Sequence, residues 1–227
     1  AMSDVDNVVV IKTQLNPYIL YVEGEDDERL LIAWAEILGH TSLFNSFHIH
    51  KMGGTTKDNM KKLSDDHFNA LKQINPKVKR VVLFDYDSEE TFHPAPDNPV
   101  IKEWKRKNIE NYLLVPEAWK KAILDVKNQT DFDLFSSDIS LTIDHFFSEQ
   151  GLVLPKNANW KTIKANIFEV VNGKKILFEN NDSLFHSLKL KHDLKINREK
   201  VANNMTVDEI HEDIISFFDF IKGIVEV

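Results

Sequence analysis

Residues 18–27 read YILYVEGEDD and residues 79–87 read KRVVLFDYD. The first stretch opens with a short apolar run stopped by Gly24, and Leu30, Leu31, Trp34, Ile37 and Leu38 follow at helical spacing. It therefore predicts a strand over 18–23, a tight turn and a helix over 26–38. The second stretch predicts a strand over 79–84 that ends in Asp85-Tyr86-Asp87. Between the two, Phe47 to Met52 reads as a further strand, Gly53-Gly54 as its turn, and Lys57 to Gln73 as a helix with Met60, Leu63, Leu71 and Ile74 available to the core. Strands alternating with helices imply an α/β fold, a parallel sheet flanked by helices, in which ligand sites form beyond the carboxyl ends of the strands. Both acidic clusters fall at such ends.

Further along, Pro94, Pro96 and Pro99 mark an irregular stretch. Asn108 to Leu114 (NIENYLL) then suits a short additional strand before Pro116 starts a helix. The remainder reads as a mainly helical C-terminal lobe. Ile139 to Glu149 and Trp160 to Val171 are helix candidates, and Thr206-Val207-Asp208-Glu209 reads as a capping box opening a helix with Ile210, Ile214, Phe217, Ile221 and Val225 turned inward.

With 227 residues, 42% of them hydrophobic and 28% charged, the chain is long enough for one large domain or a core with an appended lobe. The absence of cysteine excludes disulfides, thiolate zinc sites and cysteine nucleophiles. No apolar stretch approaches the roughly 20 residues that span a bilayer, and the N-terminus has no signal-peptide pattern, so the expectation is a soluble, cytoplasmic protein. The leading Ala1-Met2 reads as a cloning remnant, which leaves open that the chain is a piece of something longer. A net charge of −8 argues against a uniformly basic polyanion-binding surface. Positive charge is instead concentrated in residues 101–130 (7 basic, 4 acidic) and 156–200 (10 basic, 5 acidic). That division suits a metal site beside a phosphate track.

Glu23 sits at the last position of a buried strand, with Asp27 four residues on. Glu25, Asp26, Asp27 and Glu28 are what a helix dipole attracts to a first turn. That explanation does not reach Glu23, because an ionised group at the end of a core strand is costly unless paired or bound to a cation. Asp85 and Asp87 point to the same side of their strand and repel unless a divalent ion relieves them; oxygen-only donors favour Mg²⁺ or Mn²⁺. Lys105-Arg106-Lys107, immediately before Glu110, is either a solvated run or a set of phosphate contacts beside one more acid. Gly173-Lys174-Lys175 could bring a cation to a phosphate. His48 and His50 share one strand face but lack a third histidine nearby in sequence, which favours ordinary packing.

VEGEDD at 22–27, GG at 53–54, LFDYD at 83–87 and KRKNIENYLL at 105–114 together resemble, in order and spacing, the Toprim nuclease domain of the OLD (overcoming lysogenization defect) family. Gly173-Lys174 is a looser match to a later Gly-Lys of that family. The resemblance runs from about 18 to 225 and implies a Toprim, Rossmann-like catalytic core over 18–115, preceded by an extension or linker over 1–17 and followed by the helical lobe over 116–227. It implies a metal-dependent endonuclease that cleaves DNA phosphodiester bonds with two Mg²⁺ or Mn²⁺ ions, in phage defence. On this carry-over Glu23, Asp27 and Asp85 would hold one ion, and Asp87 and Glu110 would help to hold the second. Glu23, Asp85 and Lys174 would be catalytic, with Lys174 neutralising charge on the phosphate. Lys105, Arg106, Lys107 and Lys175 would contact nucleic acid. Family members usually carry an ABC-type ATPase before this domain, so the implied partners are DNA, an ATPase domain or subunit, and further copies in an oligomer. Two alternatives stay open: a Toprim RNase effector that cuts RNA such as tRNA, and a non-catalytic assembly partner.

Overall fold

The computed structural model describes residues 7–53, 55–86, 100–131 and 137–225. By packing, the chain forms two compact units, one comprising the residues up to Trp104 and from Ser216 onward, the other Lys105–Ile215. The expected division after residue 115 followed element type, a different criterion.

The first unit carries the sheet. Helix α1 (Asn7–Leu15) precedes β1 (Tyr18–Val22), α2 (Glu25–Leu38), the single turn α3 (Leu43–Ser46), β2 (Phe47–Lys51), α4 (Lys57–Ile74), β3 (Lys79–Phe84) and β4 (Ile101–Glu103). All four strands are parallel, in the order β2-β1-β3-β4. Alternation decides what each face buries. Ile19, Tyr21, Val82 and Phe84 share one hydrophobic cluster with Val9 of α1 and with Met60 and Leu71 of α4. Leu20, Val22, Val81 and Leu83 point the other way and are buried too, and α2 packs against β1 and β2. Burial on both faces explains why these strands read as continuous apolar runs. Strand β4 escapes the sequence reading because it has three residues, all half-buried.

In the second unit, residues 109–113 form a 3₁₀ turn and not the expected strand. All five are buried, including Glu110 and Asn111, so the segment has no solvent face on which a strand's alternation could rest. It is followed by α5 (Pro116–Lys127), α6 (Ser137–Glu149), α7 (Asn166–Val170), a π-helical turn (Lys175–Glu179), α8 (Leu184–His192), α9 (Arg198–Asn203) and the start of α10 (Glu212–Val225). The helix expected over 160–171 is confined to α7. Half of the expected Thr206–Glu209 capping box forms: Glu209 accepts from the Thr206 N–H at 2.7 Å, while the Thr206 hydroxyl donates to the same carboxylate and does not accept from the Glu209 N–H. It closes a turn ahead of α10, and Glu209 also accepts from Lys121 at 2.9 Å. Among the described residues, no helix is long and apolar enough to cross a membrane.

Candidate functional site

Strand order fixes where this fold opens. The chain runs from β1 to β2 in one direction across the sheet and from β2 past β1 to β3 in the other, so the switch point lies between β1 and β3. At such a switch point in a parallel sheet, ligands bind in the crevice outside the carboxyl ends of the strands. Glu23 follows β1 directly and Asp85 follows β3 directly. The structure joins them: the Asp85 backbone N–H donates to Glu23 Oε1 at 2.8 Å. Asp27, in the first turn of α2, reaches back to accept from the Gly24 N–H at 3.0 Å and is buried. It caps the helix, and the same bond turns its carboxylate toward the end of β1. Thus one edge holds three carboxylates, Glu23 bonded to the Asp85 backbone and Asp27 bonded to the N–H of Gly24, the residue after Glu23.

Asp87 lies outside the described residues. Among those described, no group of three or more Asp, Glu or His side chains is gathered tightly enough to hold a metal ion. Two charged groups that sequence reading missed sit at the same edge. Lys57, the first residue of α4, is buried with its Nζ 2.6 Å from Glu103 Oε1 at the end of β4. No local motif announces this pair, because its members are 46 residues apart.

The remaining expected residues belong to the second unit. Glu110 is 3% exposed and accepts from Arg198 Nε at 2.8 Å. The three consecutive basic residues divide. Lys105 is exposed and Lys107 half-buried, while Arg106 is 4% exposed. Arg106 donates to the Asn111 carbonyl at 2.9 Å and lies over the Tyr112 ring, 4.8 Å from its centre. Burial pulls its pKa below the ordinary arginine value. The expected phosphate contact at Arg106 is therefore corrected: its charge is spent inside the unit, fastening the 3₁₀ turn.

Asn111 explains the glycine of the Gly-Lys pair. Its side-chain amide donates to the carbonyls of Val171 (2.8 Å) and Phe168 (3.0 Å), and its Oδ1 accepts from the Gly173 N–H at 3.0 Å. A Cβ on Gly173 would stand 2.4 Å from that Oδ1. Two motifs 62 residues apart are thus locked together by one buried amide. Lys174 follows, half-exposed, with its Nζ 3.5 Å from Glu179; Lys175 is exposed.

Of the two histidines of β2, His50 is held by packing. His50 stacks on His67 of α4 with ring centres 3.8 Å apart, and His67 Nδ1 is 2.8 Å from the Tyr21 hydroxyl. Burial, then His67, lowers the His50 pKa to about 4.

Comparison with protein-family models gives no match, and no curated protein matches the chain. Among solved structures, the chain is similar to the C-terminal region of the Burkholderia pseudomallei OLD protein, at 13% identity and a TM-score of 0.45, covering 92% of this chain and 98% of that one. It is also similar to the C-terminal region of the Xanthomonas campestris pv. campestris OLD protein, at 12% identity and a TM-score of 0.47, covering 95% of this chain and 96% of that one.

Proposed function

We propose that the chain is a metal-dependent nuclease whose reaction centre is the carboxyl edge at Glu23 and Asp85. The observation that carries this reading is the bond from the Asp85 N–H to the Glu23 carboxylate at the switch point between β1 and β3. Hydrolysis of a phosphodiester needs positive charge where phosphate arrives, yet this edge is lined by acids. Carboxylates held together at a strand mouth suit hard divalent cations such as Mg²⁺ or Mn²⁺, and the donors here are oxygens alone. Glu23, Asp27 and Asp85 would hold one ion, with Asp87 as an expected ligand of a second. What such ions supply in phosphodiester hydrolysis is Lewis-acid stabilisation of charge on the phosphoryl oxygens.

The chain's own residues have separate duties. The Asp85 N–H fixes the Glu23 carboxylate in one orientation, and the Gly24 N–H does the same for Asp27. These bonds restrict how the two carboxylates can turn; since the described acids are not gathered tightly enough to hold an ion as they stand, binding would have to draw them together. Lys105, Lys107 and Lys175 would hold the nucleic-acid backbone, and Lys174 would neutralise charge on the phosphate. Phage defence and DNA as substrate, with an ABC-type ATPase as partner, complete the reading on the strength of the sequence motifs.

The test is cleavage of supercoiled DNA, single-stranded DNA and RNA with Mg²⁺, Mn²⁺ or EDTA. DNA cleavage that requires the divalent ion and is lost in Glu23→Gln and Asp85→Asn is expected. Cleavage that survives EDTA, or full activity in Glu23→Gln, overturns the reading; cleavage of RNA alone moves it to a ribonuclease.

A further inference from the structure

The first hundred residues carry 16 acids against 10 bases, yet four of those bases, Lys72, Lys77, Lys79 and Arg80, fall within residues 71–80, a stretch without a single acid. Lys72 lies in the last turn of α4, and Lys79 and Arg80 open β3. In a parallel sheet the end of a crossover helix and the start of the next strand meet at the amino edge, opposite the edge of Glu23 and Asp85. At about 3.3 Å per residue, β3 puts roughly 20 Å between Lys79 and Asp85. This basic cluster is therefore remote from the proposed reaction centre.

Three of the four bases border a cleft of about 570 Å³ within the first unit, a size that suits a small molecule. Phe68, Val100 and Ile224 give it an apolar wall and Lys72, Lys79 and Arg80 a charged one, with no acid among the described residues that line it. The three charges are not equivalent. Arg80 pairs with Asp65 at 2.7 Å and lies 4.4 Å from the centre of the Phe68 ring, so it braces the wall. Lys72 and Lys79 rest over the rings of Phe68 and Tyr18, at 5.8 and 5.6 Å, and among the described residues neither has a carboxylate partner. The dipole of α4 accounts for Lys72 at the helix end, but neither for Lys79 nor for the apolar hollow beside both. Two uncompensated ammonium groups at the rim of such a hollow complement a molecule with a hydrocarbon body and a doubly charged anionic head.

We propose that this cleft is a second binding site, for a small amphipathic phosphate monoester. The apolar body lies against Phe68, Val100 and Ile224, and Lys72 and Lys79 take the phosphate. The ligand is a single molecule free in solution, because the cleft is a bounded hollow and not a flat basic face. The inference stands apart from the reading of Glu23 and Asp85 as ion ligands.

The experiment is calorimetry of the full chain with octyl phosphate, inorganic phosphate and octanol, which separates body from head. Octyl phosphate should bind, and inorganic phosphate about 10²-fold more weakly, since burying half of the chain is worth about that factor. Lys72 and Lys79 are exposed, so Lys72→Gln and Lys79→Gln should fold as the parent does. Each should weaken octyl phosphate binding about 3- to 10-fold. Gly223 of α10 also borders the cleft, and a Cβ there meets nothing within 4 Å. Gly223→Leu should fill the hollow and cut affinity by about 10-fold or more, without lowering the melting temperature, because leucine suits a helix better than glycine. Circular dichroism checks each variant; if Gly223→Leu does not fold, the lysine variants decide the matter. Inorganic phosphate or octanol binding as tightly as octyl phosphate, or unchanged affinity in both lysine variants, overturns the proposal. Flotation with phosphatidate vesicles in the absence of octyl phosphate binding also overturns it, and assigns the patch to a membrane surface.

Discussion

Replacing Asn111 by alanine should be among the most damaging single changes in the second unit. The residue is fully buried, and truncation removes the side-chain partner of the Gly173 N–H and of the carbonyls of Val171 and Phe168, leaving the N–H only its bond to the Val171 carbonyl. A buried group that loses its hydrogen bond costs about 1–3 kcal/mol, less where a second partner remains. Adding the void left by the amide, Asn111→Ala should destabilise the unit by about 3–5 kcal/mol. Gly173→Ala attacks the same joint from the other side. Its new Cβ would meet Asn111 Oδ1 at 2.4 Å, the Asn111 nitrogen at 2.9 Å and its Cα at 3.1 Å, an overpacking worth about 1–3 kcal/mol. The two changes must therefore couple. Once Asn111 is alanine the worst of the three clashes is gone, while the backbone contacts remain, so Gly173→Ala should cost about 1–2 kcal/mol less in that background. Urea unfolding of the four proteins measures the cycle, and hydrogen exchange at the Gly173 amide reports the local bond. Additive losses, or a loss below about 1 kcal/mol for Asn111→Ala, would refute the account of this joint.

Arg106→Ala should destabilise the protein by about 2–4 kcal/mol, through its buried hydrogen bonds and its place on Tyr112. By contrast, replacing Lys107 and Lys105, whose Nζ lies 3.4 Å from the Asp213 carboxylate, by Gln should cost less stability than Arg106→Ala and weaken nucleic-acid binding at low salt, lowering the salt slope by about one per lost contact. The reverse pattern in filter-binding and melting experiments would restore Arg106 as a phosphate contact. Acid should weaken the fold through His211 and His50, both held near 4 by burial, with Arg106 adding to the effect on His211 and His67 on His50. The unfolded chain takes up these protons near pH 6.5 and the folded protein only near 4, so this stability is complete above about pH 7 and is lost as pH falls toward 4. His211, 6% exposed, should account for on the order of 3 kcal/mol and the more accessible His50 for less. A urea midpoint that does not change between pH 7.5 and 4.5, or a pH dependence that is undiminished in His211→Gln, would contradict this. Lys174→Ala should cut the cleavage rate by about 10² or more with fold and ion binding intact, whereas Lys175→Ala should matter far less; equal losses would mark a diffuse basic patch.

What could be read from residues alone was whatever a local period or a strand end encodes. Strands β1, β2 and β3 and helices α2 and α4 announce themselves because each buries a regular set of side chains, and Glu23 and Asp85 stand out because carboxylates directly follow apolar runs. The segment 109–113 defeats that logic. Its apolar and polar residues are all buried, and the polar ones are satisfied by Arg198 and by the backbone of residues 168–173, so a pattern that looks like strand alternation is a turn gripped from every side. Arg106 misleads for the same reason: three consecutive bases look like one exposed run until the middle one is needed to fasten that turn.

Lys57 and Glu103 are the sharper case. Neither residue type, nor any spacing around either, distinguishes them from exposed charges in the same chain; only the crossover that brings the start of α4 to the end of β4 makes them neighbours. A parallel sheet delivers the end of every strand and the start of every following helix to one edge, so charges scattered over 80 residues of sequence arrive there together. Glu23 and Asp85 reveal themselves locally, because they directly follow the apolar runs of β1 and β3. Lys57 and its partner Glu103 do not, because one enters from a helix whose first turn is a common place for exposed charge and the other ends a strand of three residues. Where a fold of this kind gathers carboxylates, the residue to look for next is the buried lysine that no motif contains.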